Sequence, residues 1–169
     1  MSYVLRLLRL LGIVVWVGGL VFFAFVEAPT AFHVMGTTQQ FALLIEGSIS
    51  TLNWVGDAAG FVYLLATMLL WMGSTTRWRK PLLAEMGLVA AMVVATLCVQ
   101  RGIVPAMERD RVAVGGDITA VVETNPVRVD FDERHALSEK VEGAALFLGL
   151  GVVALMAFEE TIGRGAESA

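Results

Sequence analysis

Charge is what this chain has least of. Of 169 residues only 17% are charged, with 12 Lys or Arg against 16 Asp or Glu and a formal net charge of −4. No basic stripe is present to neutralise a row of phosphates, which excludes nucleic acid as a partner. The chain has a single cysteine, Cys98. It cannot close an internal disulfide, and one thiol does not make a zinc site. Histidine is scarce too, with only His33 and His135. HExxH, P-loop, GxSxG and CxxC patterns are all missing from the sequence, and with them the readable signatures of metalloprotease, nucleotide, serine-hydrolase and dithiol chemistry. A non-catalytic role is the first expectation, and an intramembrane enzyme using His135 with a carboxylate is the last-ranked alternative.

What is present is apolar. The sequence is 57% hydrophobic, with a mean hydropathy of +0.73. Soluble domains have about 45–50% apolar and about 25% charged residues. The shift points to a membrane protein. A span needs about 20 mostly apolar residues to cross about 30 Å of hydrocarbon. Four runs meet that, at about 7–26, 54–72, 82–99 and 141–158. Backbone groups in lipid must be satisfied within the segment, so all four are expected to be helices. The first is longer than the apolar region of a signal peptide and reads as a retained helix. The fold expected is an all-α, integral membrane four-helix bundle forming one domain over residues 1–169.

The basic residues predict orientation. Arg6 and Arg9 precede span 1, and Arg77, Arg79 and Lys80 fill the short connection between spans 2 and 3. The connection over residues 27–53 has no Lys or Arg. That asymmetry puts both termini in the cytoplasm of a plasma (inner) membrane. The long 3–4 connection carries Arg101, Arg109, Arg111, Arg128 and Arg134, but interleaves them with acids. Outside the membrane, Phe41, Leu44, Ile45 and Ile49 recur at helical spacing. They predict a short interfacial helix, or span 2 extended outward, with Thr37 or Thr38 as its cap. Residues 112–129 read as an extended loop, with turns at Gly115-Gly116 and Asn125-Pro126.

Close packing through small residues drives helices together in lipid. Gly18 and Gly19 in span 1, and the GxxxG pair Gly56 and Gly60 in span 2, are the candidate packing glycines. Pro29 is expected to end span 1 and turn the chain across the outer mouth. Polar groups then collect at one depth, near the outer ends: Glu27, His33, Asp57, Gln100, Arg101, His135 and Glu142. Ionisable groups in a span are expensive and usually face the bundle interior, paired with one another. One reading is an ion-pair network in which Arg101 neutralises Glu27 or Glu142. The other is a site for a cation, a proton or a polar solute. His33 and His135 with Glu27, Asp57 and Glu142 would suit a divalent metal such as zinc, manganese or copper(II). Haem between the two histidines ranks lower, because both lie near span ends. Glu85 is expected to pair with Arg79 or Lys80.

Two stretches carry a family resemblance. GGLVFFAFVEAPTAF resembles the first-span signature of the small four-span family typified by transmembrane protein 205. FDERHALSEKVEGAAL resembles that family's entry into its last span, with Phe131, His135 and Ser138 at the matching positions. Glu142 stands where the family usually has asparagine, and Arg134 where it tends to have leucine. The resemblance implies a membrane protein of undefined activity. Its eukaryotic members are associated with tolerance to platinum drugs, which implies handling of metal-containing solutes. It makes His135 and Ser138 family-level functional candidates and Pro29 a structural one. A weaker likeness is to copper resistance D-type membrane proteins. The expected function is an accessory subunit of a membrane complex, or a handler of a small solute or metal. Its expected partners are the lipid bilayer with either a second membrane protein or further copies of itself.

Overall fold

The computed structural model describes residues 2–74 and 76–167, and the side chains of all of these except 2, 38, 76 and 160–167. The described residues contain no strand. The helices are α1 (Ser2–Phe22), α2 (Ala28–Val34), α3 (Thr38–Met72), α4 (Thr76–Cys98), α5 (Val104–Ala113) and α6 (Pro126–Glu167). Wider π turns, Phe23–Glu27 and Val99–Ile103, fuse α1 to α2 and α4 to α5. Four rods result, Tyr3–Val34, Gln39–Met72, Arg77–Ala113 and Pro126–Glu159, each long and apolar enough to cross a membrane.

Both π turns precede a proline. The N–H of Ala28 donates to the carbonyl of Phe23, and that of Val104 to Val99, each five residues back. The next residues are Pro29 and Pro105. A helical proline has no N–H, and its ring crowds the carbonyl four residues earlier. A widened turn moves that carbonyl aside and lets the helix continue. Pro29 therefore does not end the first span, as the sequence reading had it; the helix runs on to Val34.

Of the two expectations for the outer segment before span 2, its outward extension holds, and a separate interfacial helix does not form. The segment is the first part of α3, capped where Thr37 Oγ1 accepts from the N–H of Gln40 at 3.2 Å. The 3–4 connection is shorter than the sequence suggested, because α5 and the start of α6 are helical. Gly115 and Gly116 take φ of 88° and 97°, a conformation that L side chains avoid. A short 3₁₀ turn over Ile118–Ala120 follows, and Asn125 Oδ1 accepts from the N–H of Val127 to open α6. Three arginines of this region, Arg111, Arg128 and Arg134, pair with acids, Arg128 with Glu123 and Asp132. Arg111 pairs with Glu46 and Glu108, and Arg134 with Asp110 and Asp130, tying α3, α5 and α6 together.

The rods pack in a ring: α1 on α3, α3 on α4, α4 on α6, and α6 back on α1. Each buries one stripe at helical spacing. On α1 it is Arg9, Gly12, Ile13, Trp16, Val17 and Leu20. Trp16, 1% exposed, fills the centre against Gly56 and Gly60 of α3. Gly149 of α6 leaves room for Val17 and Met92. Gly19 meets Leu52, whereas Gly18 is exposed with no atom near its missing side chain. Close approach at glycine is what replaces hydrophobic drive between helices in lipid.

Candidate functional site: two buried polar layers

The apolar centre around Trp16 is flanked by a polar layer at each end. The first lies toward the end that carries His33 and His135. Asn53 and Asp57 sit one turn apart on the buried stripe of α3. Thr96 of α4 and Gln100 of the following π turn face them, and α6 adds Glu142. The Thr96 hydroxyl donates to Asp57 Oδ1 at 2.5 Å, with the carbonyls of Met92 and Val93 as rival acceptors. Asn53 Nδ2 donates to Glu142 Oε1 at 2.5 Å. Gln100 and Ser50 exchange two bonds, at 2.7 and 3.1 Å.

This layer is short of donors. Asp57 Oδ2, Glu142 Oε2 and Asn53 Oδ1 are buried without a hydrogen-bond partner, and so is the indole Nε1 of Trp16. Asp57 is 2% exposed. Among the described residues no Lys, Arg or His forms an ion pair with Asp57 or Glu142. Arg101 acts on Asp57 only at longer range, from an exposed position.

The second layer lies toward the end that carries Arg77, Arg79 and Lys80. Every rod contributes one group. Arg9 of α1 (3% exposed) pairs with Glu85 of α4 (0%) and, from the same Nη2, with Glu159 of α6 at 3.1 Å. Tyr63 of α3 donates its hydroxyl to the same Glu85 oxygen at 2.5 Å, and the guanidinium lies 5.6 Å from the phenol ring centre. Glu85 therefore does not pair with Arg79 or Lys80. α4 is already helical at those residues, and they lie on other faces of the same helix.

Of the sequence-predicted site residues, Asp57 and Glu142 come together in the first layer. Glu27 does not join them; it is half-buried in the first π turn and lines an open groove with Leu43, Ser48 and Thr51. His33 is exposed, with its ring edge-on to Phe32. His135 is exposed, stacked on Phe131 and 3.4 Å from Glu139 on its own helix. Ser138 donates to the carbonyl of His135 at 2.8 Å, a bond internal to α6. No group of three or more His, Cys, Asp or Glu that could hold a metal occurs among the described residues.

Asn53, Thr96, Arg9, Tyr63 and Glu159 escaped the sequence reading. Their signal was present. Each lies on the buried 3.6-residue stripe of its own helix, with Arg9 in line with Trp16 on α1 and Asn53 and Tyr63 in line with Gly56 and Gly60 on α3.

Fold and layers together define a polytopic membrane protein, a four-helix bundle with ionisable groups in its interior. A family model described as "Domain of unknown function (DUF4149)" matches residues 11–112, and the chain belongs to that family. The match covers most of the first three rods and stops before α6. No curated protein and no solved structure matches the chain.

Proposed function

We propose that the protein is a non-catalytic membrane protein that handles a small cation or proton, with Asp57 and Glu142 as the binding groups. One observation carries this. Two carboxylates from different helices share a buried layer, each with one oxygen on a neutral donor and the other without a partner. Intramembrane acids are costly to keep, and they mark ion and proton paths. The donor set is Asp57, Glu142, the amide oxygen of Asn53 and the hydroxyl of Thr96. All are oxygens, which suit a proton or a hard cation better than copper(I) or haem. The basic residues of the 2–3 connection support placing that end in the cytoplasm of a plasma membrane. The likeness to the transmembrane protein 205 family supports the reading of a solute handler.

The test is thermal stability of detergent-purified protein across a series of alkali and alkaline-earth chlorides and a pH series, with Asp57→Asn and Glu142→Gln beside the wild type. A wild-type response to one cation, or a component of the pH response, that both variants lose supports the reading. An equal response in all three rejects it. The alternative, a metal or haem site on His33 and His135, has its own test. Metal analysis and an optical spectrum would be taken on native protein and on a His33→Ala/His135→Ala variant. Stoichiometric metal that vanishes in the variant would replace the present reading. A stable complex that co-purifies would instead favour an accessory subunit.

A further inference from the structure

The second polar layer carries more acid than base. It contains one guanidinium, Arg9, and two carboxylates, Glu85 and Glu159, with the neutral phenol of Tyr63. Among the described residues these are the titratable groups that α1, α3, α4 and α6 present to one another there. Arg6, Arg79 and Lys80 are exposed and make no ion pair to the layer. The two acids are not equivalent. Glu85 is fully buried, and one of its oxygens takes both the Arg9 guanidinium and the Tyr63 hydroxyl. Glu159 has a single contact to Arg9, at 3.1 Å, and its side chain is 14% exposed. Glu85 Oε1 and Glu159 Oε1 are both buried without a partner.

A single cation cannot balance two carboxylates in a low-dielectric layer, and a buried excess charge is removed most simply by binding a proton. We propose that this layer is a proton-binding site in which Glu159 carries the proton, while Glu85 stays ionised against Arg9 and Tyr63. The proton removes the layer's excess negative charge; Arg9 Nε is also buried there without a partner. The site sits at the opposite end of the apolar centre from Asp57 and Glu142, and the inference does not depend on the function proposed for that pair.

The test uses the full chain in detergent and the infrared band of protonated carboxyl groups at neutral pH, read beside pH-dependent unfolding. One proton held only by the folded form makes the folded-to-unfolded ratio fall about tenfold per pH unit where the unfolded acid is ionised. The expected result is a protonated-carboxyl band in the wild type that weakens in Glu159→Gln, which also loses that pH slope. Glu85→Gln is expected to weaken the band too, because Glu159 then ionises against Arg9. Asp57→Asn and Glu142→Gln leave this component in place. Absence of any such band in the wild type overturns the proposal, whatever the variants do. So does a band and a slope unchanged in Glu159→Gln, whatever Glu85→Gln does.

Discussion

The indole of Trp16 occupies the space that a side chain at Gly56 would need: a Cβ there would come within 2.4 Å of Nε1. A Cβ at Gly60 would meet Cζ3 at the same distance. The joint between α1 and α3 is thus a large ring set into two bare stretches of backbone. Gly56→Ala forces the ring or the helix to move and is expected to cost about 1–3 kcal/mol, as overpacking does. Gly18→Ala has open space and is expected to be neutral or slightly stabilising. Denaturant unfolding of the two variants in one detergent checks this. Equal midpoints would show that Trp16 does not seat against Gly56.

Arg9 has one interior position and two acids to serve. Arg9→Gln leaves buried carboxylates without their cation, and breaking such a pair is expected to cost about 3–5 kcal/mol. Arg79→Gln and Lys80→Gln change exposed residues outside the layer and are expected to leave stability nearly unchanged. The same unfolding assay separates the partners. A large loss in Lys80→Gln with none in Arg9→Gln would reverse the pairing.

The bond from Asn53 to Glu142 joins α3 to α6 across the first layer at 2.5 Å. Glu142→Gln keeps an acceptor in place and is expected to shift stability by less than about 1.5 kcal/mol, the scale of one net hydrogen bond. Asn53→Ala strands the carboxylate and is expected to cost about 1–3 kcal/mol. A double-mutant cycle reads the coupling directly. Zero coupling would mean that the two side chains do not meet.

Asp117 gives a pH expectation outside the membrane. Its carboxylate accepts from the Thr119 hydroxyl at 2.7 Å and the Thr119 N–H at 2.9 Å, and these bonds hold it below the ordinary aspartate value. A lowered folded value stabilises the turn above the unfolded aspartate value of about 3.9. That contribution is lost as pH falls through the lower folded value. The Thr119 amide resonance should therefore titrate with a midpoint below about 3.9, and Asp117→Asn should abolish the titration. A midpoint at or above the ordinary value would mean the cap does not form.

Much of this bundle was legible in the sequence. The four apolar runs marked the four rods, because lipid admits little else than a continuous helix. Gly56 and Gly60 were visible as a GxxxG pair, though not the indole that fills them. The helix ends were poorly legible. Pro29 looks like a stop, and only the π turn before it explains why the helix continues. The same error hid the partner of Glu85. Starting span 3 after Pro81 put Arg79 and Lys80 in a loop, free to fold back. In the structure they belong to α4, where helix geometry turns them off the face that carries Glu85.

The sequence by itself determined the number of spans and the depth at which their acids and polar groups lie, since hydropathy and the rise per residue are local properties. Only the tertiary structure decided which of them meet. A helix can carry Glu27, His33 or His135 at the right depth and still turn it away, because depth follows from rise per residue and direction from rotation about the axis. The seating of Trp16 on Gly56 and Gly60, and of Val17 against Gly149, accompanies the rotation that brings Asp57 and Glu142 into one layer and Arg9, Tyr63, Glu85 and Glu159 into the other.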